Sequence, residues 1–162
     1  CNGKYSRMLH DQIRIISLVP SITELLYTLD LADQVVGITK FCVHPNEWFK
    51  TKTRIGGTKN IHIEKIRSLA PTLVIANKEE NVKEQVEALQ AFTKVIVTDV
   101  NTLQDATEMI ETIGNLTNTT IQAQSITKKI NTEIYFMFQR KYNYKGAPRR
   151  QFIIGANLNF EF

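Results

Sequence analysis

The chain has 162 residues, a length that suits one ordinary domain and excludes a large multidomain protein. Its 43% hydrophobic and 22% charged residues are typical of a globular protein and exclude a wholly disordered chain. The formal net charge of +4 comes from the residues after 120. Seven of the 20 Lys and Arg lie there, but only two of the 16 Asp and Glu. The first 120 residues therefore offer no basic face for nucleic acid, which is not an expected partner.

The N-terminal segment begins with Cys1, followed by small and polar residues. This start is similar to the mature end of a bacterial lipoprotein, in which the first residue is a lipidated cysteine. We therefore expect residues 1–11 to be a tether and the protein to be periplasmic, anchored to the membrane through Cys1 alone. The alternative is a fragment that happens to start at this residue. No apolar run approaches the ~20 residues that a membrane-spanning helix needs.

The first predicted elements are a strand, a helix and a second strand. Ile13–Leu18 is a short β-branched run typical of a buried strand. Ser21 and Glu24 have the spacing of a capping box, which predicts a helix that starts there. Val35–Ile38 predicts the second strand. Residues 40–60 are rich in Pro, Gly and polar side chains, which predicts a long loop with one short helical turn.

Strands and helices alternate regularly in the middle of the chain. Helices are predicted over residues 63–69, 81–91 and 103–114, and strands over 73–76 and 94–98. This alternation predicts βα units and a mostly parallel sheet flanked by helices. The fold class expected from the sequence is therefore α/β.

The pattern changes after residue 115. A longer helix is predicted from Thr120 to about Phe138, and the last residues, 152–162, alternate as in a single period-two strand of about 11 residues. No strand of the α/β kind is expected between them.

Few residues carry the signature of a catalytic or cofactor site. The seven glycines form no nucleotide-binding motif, and no nucleophile elbow is present, so no cofactor is expected. Cys42 and His44 lie two residues apart, a spacing that suits either a nucleophile–base pair or two metal ligands. No third and fourth ligands are evident, so no metal site is predicted. The alternative is a buried cysteine beside a turn-forming His-Pro.

Three segments together carry a family likeness. They are RIISLVPSITELLYTLDLADQVVGITKFCVHP, RIGGTKNIHIEKIRSLAPTLVIANKEEN and KVIVTDVNTLQDATEMIETIG. Over about residues 12–135 the chain resembles the N-terminal lobe of the helical-backbone substrate-binding proteins of ABC importers, above all those for cobalamin and siderophores. The resemblance implies one Rossmann-like lobe over residues 12–118, the start of the backbone helix over 119–140, and a truncated protein in which the second lobe is missing.

The resemblance also implies a binding cleft at the edge where the strands end. The residues it places there are Pro20, Ser21, Lys40, Phe41, Thr58, Lys59, Asn77, Lys78 and Glu79. Phe41 matches an aromatic ring that cobalamin-binding relatives place against the corrin, although a ring that only fills the core is the alternative. Thr58 and Asn77 stand where such relatives have further aromatics, which weakens cobalamin as the specific ligand. For Lys78 and Glu79 the alternative is a solvated helix start.

Two further features follow from resemblance. Glu64 matches a surface carboxylate that family members present to arginines of the membrane permease, although exposed carboxylates on helices are common. The segment YNYKGAPRRQFIIGANLNFEF resembles the last strand of a TonB-dependent outer-membrane receptor. Residues 141–162 are therefore a tail of uncertain origin: either the end of a receptor sequence joined to this one, or an edge strand of the α/β domain.

The function expected from these features is that of a solute-binding component of an ABC-type importer. Its ligand would be cobalamin-like or ferric-siderophore-like, its protein partner the permease, and it would not be an enzyme. Two alternatives stay open: a small α/β enzyme that uses Cys42 and His44, and an inactive truncated remnant.

Overall fold

The computed structural model describes residues 13–142, 151–153 and 159–161, with side chains for residues 13–137. The expected tether and the lipidation site at Cys1 lie outside the described residues. The chain divides into two compact units, Cys1–Asp99 and Val100–Phe162.

The first unit is built on a parallel five-stranded sheet. Its strands are β1 (Ile15–Ser17), β2 (Val35–Ile38), β3 (Thr53–Arg54), β4 (Leu73–Asn77) and β5 (Lys94–Thr98), in the order β3-β2-β1-β4-β5. The predicted α/β class is confirmed. The prediction of a long loop with one short helical turn over residues 40–60 is wrong in one place, because β3 extends the sheet there. A strand of two residues is too short to produce a periodic pattern.

The strand order places a topological switch point between β1 and β4. The chain proceeds outward from β1 to β2 and β3, then returns to β4 on the other side of β1 and proceeds outward again to β5. Sheets of this kind bind ligands beyond the carboxyl ends of their strands, where the connecting loops diverge. This edge is therefore where a site is expected.

From residue 13 onward, where the structure describes it, the first unit has four helices: α1 (Pro20–Thr28), α2 (Asn46–Thr51), α3 (Ile63–Ser68) and α4 (Lys83–Gln90). All of β1 and Leu73–Ala76 of β4 are buried, as expected for central strands of a sheet covered on both faces. Leu26, Trp48 and Ile66 are buried residues of three of these helices.

The start of α1 differs from the predicted one. The capping box of Ser21 and Glu24 is wrong, because Ser21 lies inside the helix and the capping residue is Val19, which makes no side-chain cap hydrogen bond. Pro20 occupies the first turn instead. Proline is favoured there since its φ is already helical and its missing N–H would have no partner.

The second unit contains a pair of packed helices, α5 (Leu103–Leu116) and α6 (Thr120–Tyr142). A capping box starts α5: the Asp105 N–H donates to Thr102 Oγ1 over 3.1 Å, and the Thr102 N–H donates to Asp105 Oδ2 over 2.9 Å. The Asn101 N–H donates to the same carboxylate, and these bonds lower the pKa of Asp105. A Cβ at Gly114 would collide with the Ala123 Cβ, so the two helices approach closely there.

The described residues of the tail, 151–153 and 159–161, form two strands rather than one. β6 (Gln151–Ile153) and β7 (Asn159–Glu161) pair antiparallel, with Phe152 opposite Phe160. The predicted single strand over residues 152–162 is therefore wrong. Two antiparallel strands can carry the same alternation, so periodicity alone cannot distinguish them from one continuous strand. Among the helices that the structure describes, none combines the length and apolar character needed to span a membrane.

Candidate functional site

An open cavity of about 370 Å³ lies at the carboxyl edge of β2 and β3. Its lining residues come from the loops that follow these two strands: Lys40, Phe41, Gly56, Gly57, Thr58, Lys59, Asn60 and His62. The volume falls within the range of roughly 300–1,000 Å³ that is typical of small-molecule sites.

A glycine pair shapes the wall of the cavity. Gly56 has φ of 111°, and a Cβ there would collide with the Asn60 carbonyl oxygen. The Gly57 N–H donates to this same oxygen over 2.8 Å, which closes a tight turn. The Lys40 N–H donates to the Gly56 carbonyl over 2.8 Å, so the two loops are joined by their main chains. The turn requires glycine at position 56, where other residues would be strained.

Phe41 presents its ring to this cavity. The residue is 52% exposed, so the interpretation of Phe41 as a core filler is wrong. A Cβ on Gly57 would lie 3.2 Å from Phe41 Cε2, which shows how closely the ring approaches the glycine turn. The Lys40 Nζ lies 5.2 Å from the centroid of the ring. The cavity therefore combines an aromatic surface with an adjacent positive charge.

Two amide side chains hold the glycine turn against α4, and sequence reasoning missed both. Asn81 Nδ2 donates to the Thr58 carbonyl over 2.8 Å, and Asn81 Oδ1 accepts from the Asn77 N–H over 2.8 Å. Gln85 accepts from the Ile61 N–H over 3.1 Å, and its Nε2 lies 3.2 Å from the Lys59 carbonyl oxygen. Apart from Asn77, the main-chain partners of the two amides lie more than 20 residues earlier, and nothing in the sequence identifies them.

Replacing Asn81 with alanine should loosen the cavity wall. The Thr58 carbonyl and the Asn77 N–H would both lose their side-chain partner, at a cost of about 1–3 kcal/mol in the free energy of unfolding. Amide hydrogen exchange at residues 57–61 should accelerate well beyond that of β1. The matched control is Gln90→Ala, since Gln90 is an exposed residue of α4. Equal exchange rates in the two variants would contradict the assigned role.

Four of the nine predicted cleft residues lie together. Lys40, Phe41, Thr58 and Lys59 line the cavity, whereas Pro20, Ser21, Asn77, Lys78 and Glu79 lie outside its lining. Pro20 and Ser21 form the first turn of α1. The structure thus gathers the predicted residues that follow β2 and β3, and it places the others at neighbouring strand ends.

The loop after β4 is organised by its own hydrogen bonds. Asn77 Oδ1 accepts from the N–H groups of Glu79 and Glu80, over 2.9 and 3.2 Å. The Lys78 ammonium donates to Asp99 Oδ2 over 2.6 Å, and this hydrogen bond raises the pKa of Lys78. The Lys78 ammonium is therefore already neutralised by a carboxylate of the same unit.

The pair Cys42 and His44 has a geometry unsuited to catalysis. Cys42 is fully buried, and Thr23 Oγ1 donates to its sulfur over 3.0 Å, while Thr39 Oγ1 lies 3.2 Å from it. His44 is exposed. A nucleophile must meet its substrate, so the burial of this thiol argues against the enzyme alternative.

Over the part of the chain that the structure describes, no three His, Cys, Asp or Glu side chains are grouped to hold a metal ion.

Glu64 lies on the surface in the first turn of α3. Its side chain is 86% exposed, and Oε2 lies 3.7 Å from the Arg67 Nε. An ion pair this exposed contributes little to stability. The carboxylate is therefore accessible to another protein.

Comparisons with known proteins agree with this fold. A family model described as periplasmic binding protein matches residues 15–135. An ABC transporter substrate-binding lipoprotein of Bacillus subtilis is 31% identical over 126 residues, which are 75% of this chain and 39% of that protein. A vitamin B12-binding protein of Vibrio vulnificus is 31% identical over 102 residues, which are 62% of this chain and 37% of that protein.

A similar solved structure is the periplasmic heme-binding protein RhuT from Roseiflexus in its apo form. Its TM-score is 0.70 at 23% identity, and the match covers 91% of this chain and 57% of that one. At this identity the likeness concerns the fold alone. The chain spans less than two thirds of the length of each of these three proteins.

Proposed function

The chain belongs to the periplasmic binding protein family, and from this membership we propose that it provides one lobe of the solute-binding component of an ABC-type importer. The proposed ligand is a metal macrocycle or ferric chelate, either cobalamin-like or ferric-siderophore-like. The vitamin B12-binding relative supports the first of these classes.

The observation that carries this proposal is the exposed Phe41 ring in the cavity. The ring is half exposed and lines the cavity, and an aromatic ring can stack on a planar ligand. The cavity opens at the carboxyl edge of a parallel sheet, where ligands of such folds bind. Lys40, Thr58 and Lys59 supply polar groups around the ring.

A ligand held against one open surface buries a much smaller fraction of its own surface than the ~70–90% that is typical of an enclosed site. The entropic cost of association does not fall with the lost contacts. We therefore expect this chain to bind weakly, with a dissociation constant near millimolar, which corresponds to about −4 kcal/mol.

Replacing Phe41 with alanine should weaken binding about tenfold, because the stacking surface is lost. Two-dimensional NMR titrations with cyanocobalamin, haemin and a ferric siderophore would measure this. The control is Phe136→Ala, since Phe136 on α6 is 54% exposed and lies in the other unit. If no titrant perturbs residues of the cavity, or if the two variants weaken binding equally, the proposed site is wrong. A submicromolar constant would contradict the one-lobe proposal.

The proposed protein partner is the permease of the importer, contacted through Glu64. Replacing Glu64 with arginine in a full-length relative should abolish uptake and leave ligand affinity unchanged, because a rim charge steers the partner without touching the cavity. The control is Glu84→Arg, a reversal at another exposed first-turn residue, on α4. Unchanged uptake in the Glu64 variant would reject the assignment.

We also propose a periplasmic location with a lipid anchor at Cys1. The Bacillus subtilis relative is named a lipoprotein, which supports this proposal. A single acyl chain gives only marginal membrane binding, so stable anchoring would require more than one.

A further inference from the structure

The charge of the cavity lining is entirely of one sign. Its eight residues include Lys40 and Lys59 but no Asp or Glu. His62 and Asn60 add further polar groups at the same wall. This composition differs from that of the first 120 residues, in which acidic and basic side chains are nearly equal in number.

Within the described part of the chain, neither lysine of the cavity forms an ion pair. Among the residues that the structure describes, the ion-paired lysines are Lys78 with Asp99, Lys83 with Glu87 and Lys129 with Glu133. Lys40 and Lys59 are exposed and belong to none of these pairs. The acidic residues of the adjacent loop, Glu79 and Glu80, lie outside the cavity lining.

The positive charge lies beside the aromatic surface rather than apart from it. Lys40 Nζ is 5.2 Å from the Phe41 ring centroid, and a Cβ on Gly57 would lie 3.4 Å from Lys40 Cε. Lys59 lies on the opposite loop, where Gln85 and the Gly57–Asn60 turn hold its main chain. Lys40 Nζ lies over the Phe41 ring, so a planar ligand stacked on that ring would meet this ammonium, and Lys59 lines the same cavity.

We infer that the cavity selects anionic planar ligands over neutral or cationic ones, with Lys40 and Lys59 as the specificity-determining residues. This inference rests on the proposed function, since it assumes that the cavity around Phe41 is the binding site. The chemical class is a macrocycle or metal chelate that carries carboxylate or comparable anionic groups at its rim.

Two water-soluble porphyrins with the same ring and opposite charge provide the test. The probes are the anionic tetrakis(4-sulfonatophenyl)porphyrin and the cationic tetrakis(N-methylpyridyl)porphyrin, titrated into the full chain and followed by NMR, with cyanocobalamin as a third probe. We expect the anionic porphyrin to bind at least about tenfold more tightly in 20 mM salt. The difference should shrink at 0.5 M salt, because the Debye length falls below about 5 Å.

Substitutions distinguish the effect of the two cavity lysines on affinity from the effect of the net charge of the chain. Lys40→Gln and Lys59→Gln should each weaken binding of the anionic porphyrin about two- to fivefold, the range for exposed ion pairs. Lys83→Gln removes the same charge from α4 outside the cavity and should leave the affinity unchanged.

Equal affinity for the two porphyrins would overturn the inference, and so would an equal effect of all three lysine substitutions. In either case a loss of binding in Phe41→Ala would still support the proposed function. If neither porphyrin nor cyanocobalamin perturbs the residues of the cavity, both the inference and the proposed function are wrong. The three lysines are exposed, and circular dichroism would verify that each variant folds.

Discussion

Replacing Gly56 with alanine should abolish ligand binding in the cavity and destabilise the first unit. At φ of 111° an alanine is strained by roughly 1–3 kcal/mol, and its Cβ would also collide with the Asn60 carbonyl oxygen. That oxygen belongs to the main chain and cannot rotate away as a side chain would. The turn that presents Thr58 and Lys59 would have to open. We expect a loss of about 2–4 kcal/mol in the free energy of unfolding.

Gly37→Ala is the matched control for this experiment. A Cβ at Gly37 in β2 would meet the side-chain atoms of Leu69, Ile55 and Ile16 at 3.1–3.3 Å, and these can shift slightly. This variant should lose some stability but retain binding. Urea denaturation and ligand titration of both variants would measure the two effects. Retained binding in the Gly56 variant would contradict the importance assigned to the turn.

Replacing Trp48 with alanine should produce the largest loss of stability, about 3–5 kcal/mol. Trp48 is 1% exposed, and its ring lies edge-to-face with Tyr27 at a centroid distance of 5.4 Å. The Lys52 Nζ lies 5.4 Å from the same ring, and burial lowers the pKa of this lysine. Domains have a total stability of about 5–15 kcal/mol, so the variant should lose a large share of it and unfold at a clearly lower temperature.

Phe49→Ala removes the neighbouring aromatic side chain and provides the comparison. Phe49 is only half-buried, with the Arg54 guanidinium 4.5 Å from its ring centroid. We expect less than half the loss of the Trp48 variant, measured by thermal and urea denaturation. Similar losses for the two substitutions would show that α2 is not anchored by Trp48.

The sequence predicted the elements of the sheet that carry strong hydrophobic patterns. β2 and β5 have the predicted boundaries, and the four predicted cleft residues that line the cavity lie where the strand ends of a parallel sheet meet. The hydrophobic period and the residue types of a strand are local properties, so they can be read from one sequence. The resemblance to substrate-binding proteins supplied the positions Lys40, Phe41, Thr58 and Lys59.

What the sequence could not predict depends on distant partners. The bonds of Asn81 to Thr58 and of Gln85 to Ile61 join segments more than 20 residues apart, and an amide looks the same whether or not it has such a partner. Phe41 is half exposed beside the glycine turn, and hydrophobicity alone does not reveal this exposure. Two signals for the start of α1 conflict in the sequence, the proline and the capping-box spacing. The helix starts at the proline.

Burial makes the Cys42 thiol a reporter of how often the first unit opens. Its sulfur is inaccessible and is hydrogen-bonded to Thr23, which lies on a different element of the sheet-and-helix core. An alkylating reagent can reach it only after these groups separate, so the labelling rate is the intrinsic thiol rate multiplied by the equilibrium constant for opening. Ligand bound to the neighbouring Phe41 should slow labelling in proportion to occupancy, which would turn this buried thiol into a kinetic measure of binding.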